Sequence, residues 1–346
     1  MSSESRNRYL LKNTLIFTLG NIGSRMISFF LIPLYTNVLT TSQYGTVDLI
    51  TTISTVAGPM LTLNIAESVM RFGLDKDADK EKNTQCGSIV LLIAMIIGLV
   101  LIPICRCITE VSDYAMYVYF YVISLSASQL FLCDLRGKEL LLKYSLGNIL
   151  QTLMIAILNI TFLLVFKMET GGYLLAYIIA NFIVAIYAII AGKGYKAFSF
   201  HNIDRCKLKE MIRYSVVLIP NTFMWWIMNS SDRVMVTYMI GAAANGIYAV
   251  SYKLPTLVST LTGIFNQAWS YSAIREEGTS DETEYNNKMF KTLSAIAFMM
   301  GIGLLLLTKP FLGVYVADSY YDAWKYTPFL IVGCVYLTLG TFMATS

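Results

Sequence analysis

The chain has 346 residues, of which 56% are hydrophobic and 14% charged. Soluble domains carry about 25% charged residues, so a water-soluble globular fold is excluded as the starting point. The net charge of +4 is informative through its placement rather than its size.

In chain order, ten long apolar stretches cover 13–38, 44–72, 85–108, 113–135, 143–166, 171–191, 213–238, 244–273, 289–311 and 325–346. A helix that crosses a bilayer needs about 20 mostly apolar residues. Tyr144–Phe166 and Thr170–Gly192 contain no acid or base at all. The pattern predicts an all-α polytopic membrane protein.

Basic residues fall in every second gap. Arg6, Arg8 and Lys12 precede the first stretch, and Arg71, Lys76, Lys80 and Lys82 follow the second. Arg136, Lys138 and Lys143 follow the fourth, and Lys193, Lys196, Arg205, Lys207, Lys209 and Arg213 the sixth. Arg275, Lys288 and Lys291 follow the eighth. The alternate gaps and ends hold Arg106, Lys167, Lys309 and Lys325. By the positive-inside rule the N-terminus and every even gap are cytoplasmic. The basic start followed by an apolar run has the outline of a signal peptide, but no small-residue cleavage site follows, so the run is read as a retained first span. The basic loops are short and mixed with acids, as in Asp75–Lys82, which gives a nucleic-acid partner little support.

The six cysteines stand at no metal-ligand spacing, and the one histidine, His201, has no partner motif. Neither a metal site nor a catalytic triad is indicated.

The widest basic gap divides the chain into a six-helix lobe over 1–192, an inter-lobe loop over 193–212 and four helices over 213–346. The second part echoes the first at an offset of 201: Tyr44-Gly45 falls opposite Asn245-Gly246, Thr36 opposite Thr237 and Thr55 opposite Thr256. Halves with an even number of spans insert the same way up, so the repeat is expected to be parallel, with its axis along the membrane normal. A second half of six helices would extend past Ser346. Either the repeat does not hold or the second lobe is truncated; the expectation is truncation, with a 346-residue form less stable than an extended one and inactive.

Charges inside a bilayer cost about 2.5–3.5 kcal/mol each on insertion scales and are functional candidates by default. Thr14, Thr18, Asn21, Arg25 and Ser28 form one stripe on the first stretch, at the spacing of a helix face. Arg25 would sit ~18 Å along it, near mid-membrane. It is either bonded to helix carbonyls or Asn21, or a cavity cation for an anionic substrate. The second stretch carries Asp48 near its outer end and Glu67 near its inner end, with Gly58-Pro59 weakening it midway. Asn221, Trp225, Asn229 and Asp232 share a face of the seventh stretch, Arg233 follows, and the eighth carries Tyr252 and Lys253. Asp232 and Lys253 lie at similar depth, so they form a structural ion pair or one of them serves the site. Asp48, Glu67 and Asp232 are the acids available for coupling to H⁺ or Na⁺.

The phrases Ser231-Asp232-Arg233-Val234-Met235-Val236 and Asn245-Gly246-Ile247-Tyr248-Ala249-Val250-Ser251-Tyr252-Lys253-Leu254-Pro255 resemble the Wzx-type flippases of bacterial polysaccharide biosynthesis. Pro33-Leu34-Tyr35, Tyr44-Gly45 and Arg71-Phe72 agree. That family is similar to lipid II flippases and to multidrug and toxic-compound exporters. The resemblance implies two lobes alternating around a cationic cavity in the bacterial cytoplasmic membrane. The cargo implied is an oligosaccharide on an undecaprenyl diphosphate carrier, bound for surface polysaccharide such as O-antigen or exopolysaccharide. Asn21, Arg25, Asn229, Arg233, Tyr252 and Lys253 are the cavity residues expected. The partners implied, beside membrane lipids, are a polysaccharide polymerase and a chain-length regulator. The rival readings are an ion-coupled multidrug or lipid exporter of the same fold, and a membrane enzyme on lipid-linked sugars. No nucleotide-binding loop is present in the sequence, the outer loops are too short for a catalytic domain, and no cofactor is expected.

If Arg25 meets a diphosphate, Arg25→Ala abolishes transport at unchanged insertion. Lys restores part of it, because an ammonium lacks the bidentate fork. Complementation of a flippase-null strain, with expression checked, tests this, and full activity of the Ala variant refutes it.

Overall fold

The computed structural model describes residues 27–75, 79–106, 111–195, 204–276 and 282–345. Asn21 and Arg25, with most of their stripe, lie outside the described residues. The described chain is all helical: α1 (Ile32–Val38), α2 (Thr41–Leu61), α3 (Ile65–Gly73), α4 (Lys80–Cys105), α5 (Ala115–Gly137), α6 (Leu141–Ile160), α7 (Glu169–Ala191), α8 (Arg205–Met239), α9 (Ala242–Ser251), α10 (Lys253–Glu276), α11 (Glu282–Tyr315) and α12 (Thr327–Thr345). A π-helical turn, Thr161–Val165, extends α6, and a 3-10 segment, Asp318–Lys325, precedes α12.

Several boundaries differ from the sequence expectation, each for a local reason. The stretch 44–72 is two helices bent by 61°. Pro59 removes a backbone donor, and Leu63 and Asn64 take the left-handed conformation at φ 52° and 54°. The stretch 244–273 breaks at Tyr252, between α9 and α10. α8 starts at Arg205, inside the expected loop 193–212, because the Asp204 carboxylate accepts from the Lys207 amide and caps it.

Five continuous helices are long and apolar enough to span a bilayer, and two bent pairs raise the total to seven. This is a multi-pass membrane protein. Ten spans were expected. Of the first stretch only Ile27–Val38 is described. α8 and α10 have the length but are too polar to pass the same test. A span tolerates such polarity only where it faces protein or a water-filled space.

α8 runs antiparallel to the bent pair. Ser68 Oγ donates to Met211 O at 2.6 Å, Asn64 Nδ2 to Thr222 Oγ1 at 3.3 Å and Trp226 Nε1 to Thr52 O at 2.9 Å. α2 and α9 therefore begin at the same end of the bundle, called here the upper end. Thr40 and Gln43 form a reciprocal capping box that fixes where α2 starts. The first helix of each half docks on the other half. Phe29 stacks on Phe311 and Tyr315, and the Tyr320 hydroxyl donates to Leu39 O at 3.0 Å.

α2 and α9 cross at Gly45 and Gly246. A Cβ on Gly45 would lie 1.8 Å from Ala242 O, and one on Gly246 would lie 2.0 Å from Thr41 O. The contact is reciprocal: both pairs, Gly45 with Gly246 and Thr41 with Ala242, are related by the 201-residue offset. Reciprocity of this kind is what a two-fold axis between like helices produces.

One buried core joins the halves at the upper end, with Leu31, Tyr35, Leu49, Leu174, Ala249, Leu254, Leu312 and Tyr320 in one cluster. Toward the lower end, Ile65, Val69, Leu135 and Val184 pack with Met211 of α8. α10, α11 and α12 keep small clusters of their own around Val258 and Leu293. The described core thus joins the halves at the upper end, while the lower parts of α10–α12 pack separately.

Gly45→Ala and Gly246→Ala are each expected to lower stability by about 1–3 kcal/mol, the usual cost of overpacking. Gly58→Ala should cost less, since its Cβ would meet a side-chain oxygen, Ser126 Oγ, at 2.9 Å. Thermal unfolding in detergent checks the order.

Candidate functional site

Just below the glycine crossing, Asp48 of α2 meets Arg233 of α8, with Nη1 2.8 Å from Oδ1. Both side chains are largely buried. The close approach of α2 and α9 makes this possible. Asn245 Nδ2 donates to Gly45 O at 2.9 Å and reaches Asp48 Oδ2 at 3.4 Å. The guanidinium lies over the Tyr252 ring, 5.3 Å from its centroid, in cation–π geometry. Lys253 follows Tyr252 at the α9–α10 break. It makes no ion pair among the described residues.

The Asp232–Lys253 pair weighed from sequence does not form. Successive helix residues point about 100° apart. With Arg233 turned toward α2, Asp232 faces α9, where it accepts from the Tyr248 hydroxyl. Its other oxygen accepts from the Arg233 amide at 2.9 Å.

Of the expected site residues, the fold brings together Asp48, Asp232, Arg233, Tyr252 and Lys253. Asn229 is exposed and donates to Trp225 O at 2.7 Å, about one turn of α8 before Arg233. Glu67 sits in α3, beyond the bend, half-buried and without an ion pair among the described residues. Asn245 and Tyr248 are the residues that sequence reasoning missed as members. One signal was available: Asp48 lies ~10 Å from the start of α2 and Arg233 ~9 Å from the end of α8, so the two are level.

The cluster is not fully satisfied. Arg233 Nε and Asn245 Oδ1 are buried without a hydrogen-bond partner among the described residues. Arg233 thus keeps an unused donor beside the carboxylate it is paired with.

Residues 10–271 match the polysaccharide biosynthesis protein family. The chain belongs to that family, the Wzx-like flippases. No curated protein matches the chain. Among solved structures it is similar to an outward-facing multidrug resistance MATE transporter of the MOP superfamily, at TM-score 0.61 and 14% identity, covering 97% of this chain and 80% of that one. An inward-facing MATE transporter gives TM-score 0.58 at 12% identity, over 95% and 86% of the two chains. A MOP superfamily transporter from Pyrococcus furiosus, described as having a binding pocket of reverse polarity, gives 0.55 at 13%, over 96% and 84%. The fold is thus the all-α MOP transporter fold, and the family and its structural neighbours are transporters.

Breaking the Asp48–Arg233 pair from one side strands a buried charge. Asp48→Asn is expected to cost about 3–5 kcal/mol, and Asp48→Asn with Arg233→Met less than the sum of the two single changes. A double-mutant cycle on thermal stability measures the coupling. Simple additivity would show that the pair is not energetically linked.

Proposed function

We propose that this flippase carries an undecaprenyl-diphosphate-linked oligosaccharide across the bacterial cytoplasmic membrane by alternating access, with the upper end outside. The observation that carries the reading is the Asp48–Arg233 pair spanning the two halves at the glycine crossing, with Lys253 next in the chain to the Tyr252 ring that Arg233 covers. When the halves part at the upper end, α2 withdraws Asp48 from α8. Arg233 and Lys253 then form a two-cation site facing the opened space. A lipid diphosphate cannot cross hydrocarbon unpaired, and a guanidinium offers it a planar fork that stays charged. The lipid tail remains in the bilayer while the head group passes between the halves.

The same pair supplies a coupling route. A coupling cation, H⁺ or Na⁺, that neutralises Asp48 removes the charge that holds Arg233 and favours separation. Asp48 is therefore the proposed coupling acid. Asp232 acts as the anchor that keeps Tyr248 and α9 in register with α8. The cytoplasmic N-terminus follows from the basic gaps, and a polysaccharide polymerase and chain-length regulator are the proposed partners downstream.

The test is glycan export in a flippase-null strain. Arg233→Ala is expected to lower export roughly 10–100-fold at normal expression, the loss of a hydrogen bond to a charged group, and Arg233→Lys to recover part of it. Unchanged export, or a drop in drug resistance without a drop in export, would refute the reading.

A further inference from the structure

The upper corner between α6 and α7 holds a cavity of about 330 Å³, lined by Asn37, Val38, Leu163, Leu164, Lys167 and Glu169. It lies outside the charge cluster between the halves. We propose that it binds the head group of a phospholipid carrying a primary amine, an ethanolamine-type zwitterion.

Two charges of opposite sign stand two residues apart on the rim and do not pair with each other. Glu169 Oε2 accepts from Gln43 Nε2 at 2.6 Å, while Oε1 has no partner among the described residues. Lys167 has neither an ion pair nor a side-chain hydrogen bond among the described residues. Both residues adopt the left-handed conformation, at φ 52° and 48°. Non-glycine residues seldom do so, and such positions gather at ligand sites. The π-helical turn Thr161–Val165 widens the end of α6 and turns Leu163 and Leu164 to the cavity floor. Single π turns inside helices are frequent at functional positions.

A second feature points to a lipid rather than a free solute. Leu142, Leu146, Ile149, Leu153, Ile157, Ile160 and Leu164 are all exposed. Their spacing of three and four residues makes one continuous apolar stripe along α6, and it ends at the cavity. α6 is among the apolar spans, so this stripe faces hydrocarbon. An acyl chain lying along it brings its head group to Lys167 and Glu169. The phosphate then meets the Lys167 ammonium, and the lipid ammonium donates to Glu169 Oε1. A choline head group has no N–H to donate. A glycerol head group leaves the Glu169 carboxylate without a cation. Of the three common head groups, ethanolamine alone places at Glu169 a cation that also donates a hydrogen bond to Oε1.

The test uses the full chain purified in detergent. Melting temperatures are measured with ethanolamine, choline and glycerol phospholipids of identical acyl chains, and with the mono-, di- and trimethylated ethanolamine series. The ethanolamine lipid is expected to raise the melting temperature by roughly 2–4 °C more than the others, with a graded decline as methyl groups replace N–H. Glu169→Gln should abolish that margin, and Lys167→Ala should weaken stabilisation by all three lipids. Equal stabilisation by ethanolamine and choline lipids in the unaltered protein would overturn the proposal. A margin that survives Glu169→Gln would do the same. The methylation series needs no variant, so the result stands even if Glu169→Gln fails to fold.

Discussion

The close approach of α2 and α9 at Gly45 and Gly246 is the constraint on which the rest depends. With no Cβ on either side, Ala242 O and Thr41 O come within 1.8–2.0 Å of where a side chain would begin. That proximity lets Asn245 reach Gly45 O and brings Asp48 within 2.8 Å of Arg233. A buried ion pair is weak support for stability by itself, since desolvation offsets its Coulomb gain. Its value here is positional: it puts opposite charges on opposite halves, so that moving the halves rearranges charge.

The two halves exchange their first helices around this crossing. α1 is held by Phe311, Tyr315 and Tyr320 of the second half, and α8 by Thr52, Asn64 and Ser68 of the first. The halves share a buried core at the upper end, while at the lower end α8 stays packed on the first half and α10–α12 pack among themselves. The glycine crossing and the charge pair sit at the joined end.

The resemblance to both outward-facing and inward-facing MATE transporters is one of fold, at identities too low to carry a substrate. Two of these neighbours are named for multidrug resistance, while the family match is to polysaccharide biosynthesis. What separates the two readings in the proposal is the sign of the charge at the site between the halves. Arg233 and Lys253 suit an anionic cargo.

Periodicity and composition determined the helical membrane class, because a run of 20 apolar residues has few other stable fates. The family was legible in the phrases around Ser231–Val236 and Asn245–Pro255, and the weak point of the second stretch in Gly58-Pro59. The tertiary structure alone decided which charges meet. Asp48 and Arg233 are 185 residues apart in the chain, and nothing in either local sequence states which face of α8 lies against α2. Helical depth narrows the choice to level partners, but rotation about the helix axis selects among them, and packing against Trp226, Asn245 and the glycine crossing sets that rotation. The cavity at Lys167 and Glu169 was hidden for the same reason: it is made by a π-helical turn, two left-handed residues and the end of α1, and no periodic pattern in the sequence marks any of these.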